Sequence, residues 1–298
     1  MTEKNPYLQE LGQFLRARRG ELSPDDLGLP VAHDATRRTS GLRRQEVADG
    51  VAISQDYYAR IEQGRLAPSE PVLEAIAHFL RLTPDQRDYL EGLAQRAERR
   101  TPPRPRPKLV RPQLQRLLDQ LTDTPAIIVG KYLDILAWNP LAAALLVDLD
   151  SMAPHERNYV RMVFTDPRVQ DLYYDWEAMA RSSVATLRMQ AADNPHDPRL
   201  AALVGELALV SPHFRHWWAD HKVARPDFGT KTIRHPELGD LTLDWDAFGY
   251  VGDPDQQLVL WSAPKGTSSH DKLRILASWS APATERHEAR TDDREPRA

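Results

Sequence analysis

The alternation of apolar and polar positions over residues 42–64 predicts two short helices joined by a tight turn. Val47 and Val51 lie four residues apart, and Tyr58 and Ile61 lie three apart, as on the buried faces of helices. If the chain bends between the two pairs, these side chains form one apolar seam. The seam would hold the two helices at a steep angle.

The second of these helices carries its own start and stop signals. Ser54 precedes it and can cap it, since the hydroxyl accepts from a first-turn amide, and Gly64 stands where it would end. The outward positions are polar or amphipathic, and such groups can pair with base edges in the major groove. We therefore predict that this helix reads DNA, with contacts from Ser54, Gln55, Asp56, Tyr57 and Arg60.

Basic residues precede the same motif. Arg43 and Arg44 open the first helix of the pair, and Arg37 and Arg38 lie just upstream. Arginine suits phosphate groups, whose contacts position a protein on the duplex without specifying sequence. We predict phosphate contacts from Arg43 and Arg44.

These residues carry a family resemblance. The Xre, or Cro/CI-type, helix-turn-helix is similar to Glu46-Val47-Ala48, Ile53-Ser54, Tyr58, Arg60-Ile61-Glu62-Gln63-Gly64-Arg65 and Pro68-Ser69. The stretches 41–48 and 56–65 further resemble the MmyB-like branch of bacterial transcription regulators. An ordinary helical hairpin with charged outer faces is the alternative, but it does not account for the whole pattern.

The periodicity predicts an all-α module of five helices over residues 1–97. The first helix should run from about Tyr7 to Arg19, with Leu8, Leu11 and Phe14 on its buried face. Residues 20–39 form an unusually long connection for this motif. Residues 98–112 follow as a linker rich in proline and arginine, which is either a solvated spacer or a basic arm that adds DNA attraction.

Residues 113–280 predict a mixed α/β domain, so the whole chain is α+β. Two β-rich apolar runs at 125–130 and 133–140 predict a hairpin that resembles the opening of a PAS-like fold. We expect helices at 113–121, 141–147, 156–164, 167–189, 198–209, 212–220 and 269–278, and strands at 229–234, 241–250 and 256–262. The stretches 214–223, 231–236 and 239–243 resemble the MmyB-like ligand-binding domain. The tail 281–298 is expected to be disordered.

Charge and composition support two domains of different character. The net charge is −4 overall, but it is +3 up to Arg111 and −7 beyond it, and all seven tryptophans lie in the acidic part. The chain has no cysteine, which excludes disulfides, thiolate zinc sites and cysteine nucleophiles. The first residues lack the order of a signal peptide, and the apolar runs are too short to span a bilayer. We therefore expect a cytoplasmic protein.

Sites for metal, nucleotide and catalysis are weakly supported. His213 and His216 share a helical face, but His221 lies five residues further on, so surface or packing roles are favoured over a metal site. The residues around Lys131 do not match a phosphate-binding loop, and those around Ser268 match a nucleophile elbow only loosely. We expect no enzyme, no cofactor and no metal.

The aromatic residues of the second domain can form core or line a pocket. They include Phe164, Tyr173, Trp176, Trp217, Trp218, Trp245 and Trp261, and core is the default for most of them. The MmyB-like resemblance implies a small apolar, fatty-acid-like ligand. The predicted ligand contacts are Trp138, Trp176, Arg215, Trp218, His221 and Trp245. A ligand carboxylate would require a cation, for which Arg215, His221 and Lys231 are candidates.

Together these features predict a one-component transcription regulator. The amino-terminal module would bind double-stranded DNA as a homodimer on a near-palindromic operator, and ligand binding to the second domain would bias DNA affinity. The alternative is a second domain that binds no ligand and serves only as a dimerisation or protein-interaction platform. An apolar cavity ringed by tryptophans would favour the sensor, and a filled core would favour the platform.

Overall fold

The chain forms two compact units. The computed structural model describes residues 5–29, 41–98 and 109–280. The first unit combines Met1–Pro105 with Val184–Arg225, and the second combines Arg106–Ser183 with Pro226–Ala298. Residues of the segment 113–280 therefore contribute to both units. Most of the linker 98–112 and the whole tail 281–298 lie outside the described residues, as do Arg37 and Arg38.

The amino-terminal part of the first unit is all-α, as predicted. Its helices are α1 (Pro6–Glu21), α2 (Arg44–Gly50), α3 (Gln55–Glu62), α4 (Glu70–Phe79) and α5 (Pro84–Glu98). The long connection after α1 contains a 3₁₀ turn, Asp25–Leu27. Asn5 begins α1 because its side chain accepts hydrogen bonds from the amides of Tyr7 and Leu8.

The turn between α2 and α3 follows from two local signals. The Ser54 hydroxyl accepts from the amide of Tyr57 at 3.2 Å, so Ser54 caps α3 as its position predicts. Gly64 has φ +67 just after α3, and a side chain there would meet the backbone of Gln9 at 2.9 Å. Glycine at this position therefore allows α3 to end against α1.

Three further helical segments complete the first unit. They are the part of α10 (Trp176–Ala191) that begins at Val184, α11 (Pro198–Val210) and α12 (Pro212–Ala219). Met189 of α10 joins the same core as the first five helices, together with Ala192 and Val223 from the segments that follow α10 and α12. The core of this unit thus draws on residues more than a hundred positions from the helix-turn-helix.

The second unit is built on a five-stranded antiparallel sheet. Its strands are β1 (Ala126–Val129), β2 (Ile135–Trp138), β3 (Phe228–His235), β4 (Gly239–Gly249) and β5 (Gln257–Ser262), in the spatial order β2-β1-β5-β4-β3. The predicted hairpin is β1 paired with β2, with Ile127 opposite Trp138. The sheet completes an α+β protein, which confirms the predicted fold class.

The second unit also contains helices. They are α6 (Pro112–Gln120), α7 (Pro140–Leu145), α8 (Tyr159–Thr165), α9 (Pro167–Leu172), the start of α10, and α13 (Ser268–Ser280). Leu114 and Leu118 of α6 pack against Ala126, Ile128 and Leu258 of the sheet. These contacts cover one face of β1 and β5 with an amphipathic helix.

The prediction of a single helix over residues 167–189 is wrong. The chain leaves the helical conformation after α9, and Tyr173 forms an isolated antiparallel bridge with Ile233 of β3. The amide of Tyr174 donates to the carbonyl of Thr232 at 3.2 Å. Pairing with the sheet replaces helical hydrogen bonds at this point, which the local apolar periodicity does not reveal.

We predict that Gly12→Ala lowers the free energy of unfolding by about 2 kcal/mol, because overpacking must move backbone. A side chain at Gly12 would meet the carbonyl oxygen of Glu62 at 2.4 Å, whereas one at Gly20 of the same helix meets nothing within 4 Å. Gly20→Ala is the matched control and should be neutral or slightly stabilising. Urea unfolding measures both, and equal effects would contradict the close approach of α1 and α3.

Candidate nucleic-acid interface and ligand-domain cluster

The predicted reading residues lie on the outer surface of α3. Ser54, Gln55, Asp56 and Arg60 are exposed, and Tyr57 is half-buried. Tyr58 and Ile61 point the opposite way and are fully buried in the core of the unit. The first turn of α3 therefore presents amide, carboxylate and phenol groups, followed by a guanidinium one turn later, in a form that a major groove can accept.

The two predicted phosphate contacts differ in their surroundings. Arg43 is exposed and precedes α2, and its amide donates to Glu46 Oε2 at 2.6 Å. The Arg44 guanidinium is half-buried and donates to Glu62 Oε1 at 3.2 Å. Arg44 is consequently engaged in an ion pair with Glu62, whereas Arg43 lies at the surface.

Glu62 is the centre of an ion network among three helices. Its side chain is fully buried, and both of its oxygens accept hydrogen bonds from Arg19 of α1, at 2.9 and 3.0 Å. Burial by itself would raise the pKa of this carboxyl, but the hydrogen bonds from Arg19 and Arg44 outweigh burial and lower the pKa. The charged network ties the end of α3 to α1 and to the start of α2.

We predict that Glu62→Gln lowers the free energy of unfolding by about 3 kcal/mol, because it leaves Arg19 and Arg44 without their anion. Chemical denaturation at neutral pH measures the loss. Gln63→Ala is the control, since Gln63 is exposed and its truncation should change stability by less than about 0.5 kcal/mol. A Glu62→Gln protein as stable as wild type would rule out this role for the network.

A second buried charge cluster lies elsewhere in the first unit. Arg188 of α10 donates to Glu10 Oε1 at 2.7 Å, and the phenol of Tyr89 donates to the same oxygen at 2.8 Å. His221 Nδ1 lies 3.3 Å from that oxygen. The Arg188 guanidinium also stacks on the ring of Trp218, 3.9 Å from its centroid. Glu10 thus joins the first helix to residues far along the chain.

This cluster sets the pKa of Glu10. Burial would raise it, but the hydrogen bond with His221, the charge of Arg188 and the Tyr89 phenol together lower it from 4.5 to about 2. The folded protein therefore binds fewer protons than the unfolded chain between these two values. The Glu10 contribution to stability is complete above pH 4.5 and disappears as the pH falls toward 2.

We predict that wild type loses about 2 kcal/mol more stability than Glu10→Gln when the pH is lowered from 5 to 3, by linkage from the shift to about 2. Urea unfolding of both proteins at the two pH values isolates the contribution of Glu10 from that of other carboxyl groups. Identical pH dependence would show that Glu10 has an ordinary pKa.

The structure places the six predicted ligand contacts in both units. Arg215, Trp218 and His221 belong to the first unit, and Trp138, Trp176 and Trp245 belong to the second. Arg215 is exposed and donates to the carbonyl of Ala208 at 3.0 Å. Trp218 and His221 contact Arg188. The three residues of the first unit therefore have contacts there that need no ligand.

The three tryptophans of the second unit have different neighbours. The Trp176 indole donates to the carbonyl of Val163 at 2.8 Å. Arg157 lies over the Trp138 ring at 4.9 Å, and Lys231 lies over the Trp245 ring at 4.3 Å. Trp245, a predicted ligand contact, thus lies beside Lys231, one of the cations predicted to bind a ligand carboxylate.

Further residues join Lys231 and Trp245. The ring of Tyr173 lies 6.0 Å from the Lys231 ammonium, and the phenols of Tyr173 and Tyr159 are hydrogen-bonded at 2.8 Å. Tyr159 also contacts the sulfur of Met179 at 3.1 Å. Burial raises the pKa of both phenols, that of Tyr173 to about 12, so both carry their protons. We call Tyr159, Tyr173, Lys231 and Trp245 the Lys231 cluster.

Sequence reasoning identified this cluster only in part. Lys231 and Trp245 are candidates by residue type, and Tyr173 is one of the aromatic residues expected to form core or line a pocket. Tyr159 was missed, as were Glu10, Tyr89 and Arg188 of the first unit. Glu10 and Arg188 are 178 positions apart, so local spacing contains no signal for their contact.

Comparison with known families decides the class of the protein. Residues 110–276 match the model of the MmyB-like transcription regulator ligand binding domain, and residues 10–90 match a helix-turn-helix domain. The chain belongs to the MmyB-like transcription regulators. No curated protein matches this regulator.

Membership establishes the general activity of the chain. It is a DNA-binding transcription regulator with a ligand-binding domain, as the sequence patterns predict. None of the described helices is both long and apolar enough to cross a membrane. Within residues 5–29, 41–98 and 109–280, no group of three or more His, Asp or Glu side chains is placed to hold a metal ion.

Proposed function

We propose that this MmyB-like regulator reads its operator with the first turn of α3 and binds as a homodimer. The observation that supports this most directly is the exposure of Gln55, Asp56 and Arg60 on a helix whose inner face is buried. Glu62 anchors the end of the same helix through Arg19. A rigidly held helix with a polar outer face is suited to specific contacts in the major groove.

We further propose that the ligand-binding domain senses a small apolar, fatty-acid-like molecule and that its occupancy alters operator affinity. The family supports a ligand, and the aromatic residues around Lys231 support an apolar one with an acidic group. A ligand that prefers one of two states of the protein shifts the equilibrium by its difference in affinity.

Two substitutions separate base reading from phosphate contact. Gln55→Ala should weaken binding to the selected operator by about 1–3 kcal/mol and affect a duplex altered at the contacted base pair less. Arg43→Ala should weaken all duplexes similarly and reduce the salt dependence of binding, because the contact is with phosphate. Fluorescence anisotropy on an operator selected by wild type measures both.

Each variant is compared on two duplexes, the selected operator and the altered one, so the altered duplex serves as the control. An equal loss on both duplexes from Gln55→Ala would remove Gln55 from the reading residues.

Native mass spectrometry of the complex counts the chains on each duplex. Two chains are expected on half-sites about one helical turn apart, and a single chain would overturn the homodimer.

A further inference from the structure

Three neighbouring strands place a set of large side chains on one face of the sheet. Gly229 of β3 lies opposite Trp245 of β4, and Trp245 lies opposite Trp261 of β5. Residues directly opposite each other in antiparallel strands point to the same face, as do residues two apart. Lys231, two residues beyond Gly229, therefore shares its face with both tryptophans.

Lys231 has no anionic partner among the residues that the structure describes. The nearby carboxylates of β4, Asp244 and Asp246, alternate to the opposite face, and Asp244 accepts instead from Thr230 Oγ1 at 2.6 Å. The ammonium faces the rings of Trp245 and Tyr173. Its burial lowers the pKa of Lys231 from 10.5 to about 8, because no opposite charge compensates the lost hydration.

A second unsatisfied donor lies on the same face. Trp261 is 2% exposed, and its indole N–H has no acceptor within the described part of the chain. A buried donor without an acceptor is uncommon in folded proteins, because desolvation without a hydrogen bond costs free energy. By contrast, the Trp176 indole has an acceptor in its own unit. Lys231 and Trp261 thus share one requirement, which is an acceptor that the described residues do not provide.

We infer that Lys231 and Trp261 bind the carboxylate head group of the ligand on this face of the sheet. The Lys231 ammonium supplies the positive charge, and the Trp261 indole N–H donates a directional hydrogen bond. The rings of Trp245 and Tyr173 pack against the apolar part of the ligand next to the head group. This assignment rests on the proposed ligand-sensing function. It selects Lys231 over Arg215 and His221 as the cation that recognises the acid.

The test compares an acid with an uncharged molecule of the same chain length. Binding of dodecanoate and of dodecanol to the full-length protein is measured by isothermal titration calorimetry. Wild type should prefer dodecanoate. Lys231→Met, which retains an apolar chain of similar length, should weaken dodecanoate binding about tenfold or more and abolish the preference.

Two further variants test the head-group contact and the competing assignment. Trp261→Phe removes the indole N–H but retains an aromatic ring, and it should weaken dodecanoate binding several-fold and dodecanol binding less, because a hydroxyl is a weaker acceptor than a carboxylate. Arg215→Ala is the matched control, and it should bind both probes as wild type does. A thermal unfolding transition in each variant confirms that it is folded.

The possible failures are distinguishable. If wild type binds both probes equally, or if Lys231→Met keeps the preference for dodecanoate, the assignment of Lys231 is overturned while ligand sensing stands. If Arg215→Ala abolishes the preference, Arg215 is the cation. If wild type binds neither probe, both the fatty-acid-like ligand and the head-group assignment are overturned.

Discussion

The helix-turn-helix depends on one buried carboxylate. The side chain of Glu62 is buried, and it remains ionised because Arg19 and Arg44 donate hydrogen bonds to it from two other helices. A buried anion without these partners would be strongly destabilising, so the pairings constrain where α1 and α2 can lie relative to α3. The exposed start of α3 is therefore held in place by interactions at its opposite end.

The same physical rule separates structural charges from candidate binding groups. Glu10 and Arg188 form a close ion pair, with Tyr89 and His221 completing the surroundings of the carboxylate. Lys231 faces aromatic rings and receives no such compensation within the described chain. Charges that are paired within the fold serve the structure, whereas an ammonium that faces aromatic rings without an anion is a candidate binding group.

Local patterns were sufficient for much of the architecture. The cap at Ser54, the stop at Gly64 and the hairpin of β1 with β2 were all predictable, because turn chemistry and apolar spacing act over a few residues. The expected helix over 167–189 was wrong because Tyr173 pairs with a strand sixty positions later. A local window cannot contain that competing hydrogen bond.

The sequence by itself determined the family, the α+β class, and helix α3 with its outward residues, since each depends on motifs and periodicities within short stretches. Only the tertiary structure decided which charges are paired. Arg44, a phosphate candidate by position, binds Glu62, and His221, a ligand candidate by type, lies beside Glu10. The tertiary structure also places Lys231 and Trp261 on one face of the sheet, through the register of three strands. Burial and partnership depend on contacts between distant segments, and spacing along the chain does not encode them directly.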